Sequence, residues 1–231
     1  MLDTIESPDK DGLPLKWADD DNLGPAPASI PTSPGDYFKR PFNLFNIFWL
    51  LYLTYLIIYV ATDYQTLIGR EHHPFFIMAM DMVDLFIHEA GHFFFSFFGQ
   101  VIYFMGGSLF QIILPIVTLV VFARTSIRSM SFTLFWIGES IVNVSIYVAD
   151  AQWKRLPLIS RHATHDWNWI CVHLNLLDDA ETIGAVLNII GIITCIGALG
   201  VGIYCIVKDT REILVSNKLL HLQQHRIIKR S

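Results

Sequence analysis

The chain has 231 residues, of which 53% are hydrophobic and 16% charged, with a formal net charge of −5. That apolar share excludes an ordinary soluble globular domain and points to lipid as the solvent of most of the chain. The small acidic excess gives no footprint for nucleic acid, and the charges gather at the two ends and in short gaps between apolar stretches, as expected where the middle cannot hold unpaired charge.

Residues 1–41 form an acidic, Pro-rich tail, with Asp19, Asp20, Asp21, Pro25, Pro27, Pro31 and Pro34 and too little apolar surface to offset the entropy of ordering. No basic start followed by an apolar run marks a cleavable signal, so the first membrane helix is expected to do the targeting. That helix is read at Phe42 to Ala61, an uncharged stretch of about the 20 residues needed to cross a hydrocarbon core.

A second stretch, Phe75 to Phe98, is apolar except for Asp81, Asp84, His88, Glu89 and His92. Such groups are costly against lipid, so they are expected to face protein, water or metal. The third stretch, Val101 to Ala123, has Gly106 and Gly107 near its start and Pro115 inside, which suggests a broken or re-entrant segment. Exposed backbone at Gly106, Gly107 and Ser108 would then clamp an extended peptide, or simply form a tight turn.

The fourth span is read at Ser131 to Ala149, with Glu139, Asn143 and Asp150 along one inward polar stripe. Residues 150–183 read as a hydrophilic linker carrying His162, His165 and Asp166. Ile183 to Val207 is the fifth span, in which Gly191, Cys195, Ala198 and Gly202 suit close helix packing. The tail 208–231 mixes Lys and Arg with Ile213, Leu214, Leu219, Leu220, Ile227 and Ile228, the pattern of a basic amphipathic helix on a membrane surface or of a solvated helical tail. The expected architecture is therefore an all-α, polytopic membrane bundle of about five spans with a transmembrane domain at 42–207, the expected setting being a bacterial inner membrane. Lys and Arg counts favour an N-out, C-in arrangement, although Lys154, Arg155 and Arg161 then fall on the outer side. Three cysteines without metal-type spacing, Cys171, Cys195 and Cys205, argue against a disulfide framework.

The chemistry is concentrated in His88-Glu89-Ala90-Gly91-His92. Helical residues four apart project about 40° from one another, so both imidazoles reach one ion and Glu89 reaches water bound to it. Two neutral nitrogens, an open position and a nearby carboxylate are what zinc-assisted hydrolysis requires. An H-E-x-x-H on a soluble helix is often only a solvated face. Here it lies between Leu85-Phe86-Ile87 and Phe93-Phe94-Phe95, where ionisable groups are desolvated for no return unless something gathers them.

A third ligand must come from elsewhere, and Asp166 is the first choice, with His165 as the alternative and Asp150, Glu139 and Asp178 behind them. Asp84, one turn before His88, is placed to accept the second ring N–H of a ligating histidine. Asn143 is a possible substrate contact, with interhelical hydrogen bonding as the competing role.

On these residues the chain resembles the site-two protease family of intramembrane zinc metalloproteases, through the histidine–glutamate motif in an apolar helix and the Gly106-Gly107 segment after it. The resemblance covers roughly residues 75–207 and implies that His88 and His92 bind Zn2+, that Glu89 is the catalytic base, and that a later aspartate completes the site. The implied substrate is a membrane protein or peptide inside or beside the bilayer. The Asn-rich segment ending in Asp-Gly, usual in that family, has only Asn175-Leu176-Leu177-Asp178-Asp179 as its nearest counterpart. Two other readings are open: a membrane di-iron hydroxylase or desaturase, from the histidine spacings 88/92, 162/165 and 221/225, and a non-catalytic membrane scaffold.

Overall fold

A computed structural model describes residues 41–64, 73–124, 126–156 and 164–228; the side chains of 41–45, 213, 216, 217 and 219–228 lie outside the description. Residues 1–40 of the expected disordered tail at 1–41, and His162, also fall outside the described residues, while Pro41 belongs to the first helix. Among the described residues the chain is entirely helical: α1 (Pro41–Thr62), α2 (Phe75–Phe95), α3 (Gln100–Ala123), α4 (Ile127–Ala149), α5 (Asp166–Leu174) and α6 (Ala180–Ile228), with single 3₁₀ turns at Ser96–Phe98 and Leu177–Asp179.

Three helical stretches are long and apolar enough to cross a membrane, Gln100–Ala123, Ile127–Ala149 and Leu177–Glu212. Their exposed faces are apolar too: Val117, Val120 and Val121 on α3, and Ile189, Ile193 and Ile196 on α6, are all more than half exposed. A soluble bundle would turn polar residues outward on those faces, so this is a surface suited to lipid.

Pro41 opens α1, at the first-turn position where its missing N–H costs nothing. The core is built where α1, α2, α4 and α6 meet, from Leu53, Leu56 and Val60, Ile77 and Met80, Phe135 and Val142, and Cys195 and Ala198. Helices α4 and α6 approach so closely that a Cβ on Gly138 would sit 2.5 Å from Cys195 Sγ, and one on Gly191 would sit 2.8 Å from the Gly138 carbonyl. The small-residue spacing of the last span is thus used as a contact surface, and Ser131 Oγ donates across it to the Ala198 carbonyl at 2.9 Å.

Three boundaries differ from the expectation. The expected break near Gly106 is not there: α3 runs unbroken through Gly106, Gly107 and Pro115. The break comes earlier, at Gly99, whose φ of 90° ends the turn after α2 and whose carbonyl accepts the first α3 bond from Tyr103 N–H at 2.8 Å. The last span and the tail are one 49-residue helix, about 73 Å at 1.5 Å per residue, more than twice a hydrocarbon core. The linker also holds an unforeseen short helix, α5, which is the element that carries Asp166.

Candidate metal centre

His88 and His92 lie on successive turns of α2, and Asp166 is the first residue of α5; their ligand atoms all fall within 4.8 Å of one another. His88 Nε2 is 3.1 Å and His92 Nε2 3.2 Å from the same oxygen, Asp166 Oδ2. Tetrahedral zinc, with ligands at about 2.0–2.1 Å, separates its ligand atoms by roughly 3.3 Å. The spacing therefore suits that ion.

The tautomers argue in the same direction. His92 Nδ1 is 2.8 Å from the Tyr103 carbonyl, which only accepts, so a neutral ring keeps its proton on Nδ1 and leaves Nε2 bare. His88 Nδ1 is 3.3 Å from Gln111 Oε1. The orientation of that amide is set by its other end, where Nε2 donates to Asp84 Oδ2 at 3.3 Å and to Asn143 Oδ1 at 3.1 Å. His88 Nε2 is bare as well. With both rings neutral, two nitrogen lone pairs face one carboxylate oxygen with no hydrogen among them, an arrangement that is repulsive until a cation, a metal ion or a second ring proton, enters it.

Asp166 keeps its charge in this setting. Burial raises its carboxyl, and the hydrogen bonds and positive charge of His88 and His92, when those rings carry a second proton, more than offset that and hold it below the usual carboxylate range. Its backbone N–H donates to the Tyr147 hydroxyl at 3.4 Å. Helix α5 is fastened to the bundle by Trp167 Nε1 to Ser108 Oγ at 3.0 Å and by Asn168 Nδ2 to the Ala151 carbonyl at 2.8 Å.

His165 does not join the group. Its Nδ1 accepts the Asn168 N–H and caps α5, which leaves Nε2 carrying the proton, 3.4 Å from Asp150 Oδ2. Burial pushes this imidazole below its ordinary value against the pull of Asp150 and Asp166, consistent with a neutral capping ring. Asp150 in turn accepts the N–H groups of Arg155 and Leu156, both at 2.9 Å, so it organises the start of the loop. Glu139 and Asp178 also stand outside the ligand group.

Asp84 is displaced by one residue from its expected role. It holds Gln111, which holds His88, and it also accepts from Trp136 Nε1 and Ser140 Oγ at 2.8 Å each. Gly106 and Gly107 are buried and helical, so their backbone is not available to an extended peptide. Their actual role is steric: a Cβ on Gly107 would lie 2.5 Å from His88 Nε2. Asn143 gives its amide to Tyr64 at 2.7 Å and accepts from Gln111, which places it behind His88 and not at a substrate.

Glu89 is exposed, and its charge acts on both His92 and Tyr147. The open side of the group is thus flanked by a free carboxylate. Gln111, Tyr147 and the Tyr103 carbonyl went unnoticed in the sequence. Only Gln111 left a signal there, as the one strongly polar side chain in the interior of an otherwise apolar span, one turn after Gly107.

No family model, curated protein or solved structure matches this chain.

Proposed function

We propose that the chain is an intramembrane zinc metalloprotease, a divergent relative of the site-two proteases, that hydrolyses peptide bonds of membrane-embedded or membrane-adjacent substrates. The observation that carries this reading is the convergence of two imidazole nitrogens and one carboxylate oxygen within 4.8 Å of one another in an apolar helical bundle, beside the exposed carboxylate of Glu89. In this reading α1 and α2 cross the bilayer with α3, α4 and α6, making five spans, and α5 lies at the interface, where Trp167 and Trp169 are at home.

His88, His92 and Asp166 would hold the zinc, which supplies a water acidic enough to ionise near neutral pH and polarises the scissile carbonyl. Gln111 and the Tyr103 carbonyl keep each imidazole in the tautomer that offers Nε2. Glu89 takes the proton of the attacking water and returns it to the leaving amine. A substrate segment would be cut in extended or unwound form, because a peptide carbonyl inside a helix is shielded by its own hydrogen bond.

A di-iron oxidase needs a second set of histidines. Of those it would draw on, His162 and the side chains of His221 and His225 lie outside the described residues, and among the described residues one metal-holding group is found. Glu89 also has a ready role only in hydrolysis. The test is Glu89→Gln in purified, lipid-reconstituted protein with a transmembrane peptide substrate. Zinc content should stay at the parent's level while cleavage falls by about 10²–10⁴-fold, the usual weight of a general acid–base. Cleavage at the parent's rate would refute the mechanism.

A further inference from the structure

A second cluster of titratable groups lies on the far side of Gln111, and the proposed hydrolysis makes no use of it. Asp81 and Asp84 on α2 and Glu139 on α4 meet there with Tyr64, Asn143 and Ser140. Asp84 is fully provided for by the indole, hydroxyl and amide donors already described. Asp81 Oδ1 receives the Tyr64 hydroxyl at 2.5 Å and Asn143 Nδ2 at 3.4 Å.

Glu139 is the exception. Its side chain has no exposed surface, its Oε2 has no hydrogen-bond partner, and its Oε1 lies 3.4 Å from a Tyr64 hydroxyl whose single hydrogen is already directed at Asp81. The groups that act on it electrostatically are Asp84 and Asp81, both negative. Among the described residues no Lys or Arg pairs with any of the three carboxylates. His73, from the segment before α2, acts on Asp81 and packs against the Tyr64 ring, and from α6 the neighbour is the Cys195 thiol. A bare carboxylate in this position would be desolvated, with no donor at Oε2, a long contact at Oε1 and two acidic groups beside it, a cost that no nearby basic group offsets.

We propose that Glu139 is the seat of a second site, separate from the metal centre, which takes up one small cation from water, a proton or a sodium ion, between Glu139 and the two aspartates. The donor set is all oxygen, which suits a hard cation and not zinc. The three carboxylates do not gather as tightly as His88, His92 and Asp166, the one group among the described residues close enough to hold a metal through three such side chains, so a single charge fits better than a divalent cage. The site stands or falls independently of proteolysis.

Infrared spectroscopy of the full-length protein in lipid nanodiscs at neutral pH tests it, comparing sodium chloride with choline chloride. A protonated-carboxyl band that shifts in D2O, survives Asp81→Asn and Asp84→Asn and vanishes in Glu139→Gln identifies the proton. A band that is missing in sodium and appears in choline, with a melting temperature that rises with sodium in the parent and not in Glu139→Gln, identifies the sodium ion. If Glu139→Gln does not fold, the parent and the two aspartate variants still decide the matter. The parent showing no protonated-carboxyl band in either salt, and no sodium dependence of melting, would overturn the proposal.

Discussion

The two sides of Gln111 show what separates a polar group that holds a membrane bundle together from one that awaits a ligand. Asp84 itself meets three donors, from Trp136, Ser140 and Gln111, and these bonds link α2, α3 and α4, the unmet acceptor on that side being Glu139 Oε2. Around Asp166 the acceptors face one another, two imidazole nitrogens against one carboxylate oxygen at 3.1 and 3.2 Å. Both clusters are buried in the same apolar surroundings, so burial does not distinguish them. The match of donors to acceptors does, and among the described residues only the His88–His92–Asp166 group brings three such side chains close enough to hold a metal ion.

This contrast can be broken most forcefully at the ligands. His88→Ala or Asp166→Ala should yield protein that folds but retains no zinc after dialysis against a mild chelator, as read by elemental analysis. A smaller effect is expected one bond further out: Gln111→Leu frees the His88 ring to choose either tautomer and should weaken zinc binding by about 10–100-fold in a chelator competition, as loss of a ligand's hydrogen-bond partner generally does. The smallest effect on the metal belongs to Trp136→Phe, which removes one of three donors from Asp84. It should cost about 1.5–3 kcal/mol of stability, the usual worth of a hydrogen bond to a charged group, and leave zinc affinity closer to the parent's than Gln111→Leu does. If Trp136→Phe weakened zinc binding more than Gln111→Leu, the chain of contacts from Asp84 through Gln111 to His88 would be wrong.

Much of the helical framework was readable in the residues because lipid permits few backbone arrangements: apolar stretches of about 20 residues had to be helices, and the α2 and α3 regions were located to within a few positions. The pairing of His88 with His92 was equally open to view, since both belong to one helix and their relation is local. The third member of the group was a different matter. His165 and Asp166 are adjacent in the chain and chemically near-equivalent as ligands, and the choice between them depends on where α5 starts, because the capping residue spends its side chain on the helix and the next one is free to point inward. Gly106 and Gly107 misled for a related reason. A glycine pair suggests a turn when read locally, whereas here it makes room for the His88 ring, which comes from another helix. The unbroken α6 was missed because Lys208 and Asp209 end the apolar run, and a helix need not end there.

The most direct test is zinc stoichiometry of the purified full-length chain beside Asp166→Asn, each stripped with chelator and refilled with a limited zinc supply. About one tightly held zinc per chain in the parent, and none surviving the same wash in the variant, is the predicted result. A parent that cannot be refilled, or a variant that holds zinc as firmly as the parent, would contradict the assignment of His88, His92 and Asp166 as the metal centre.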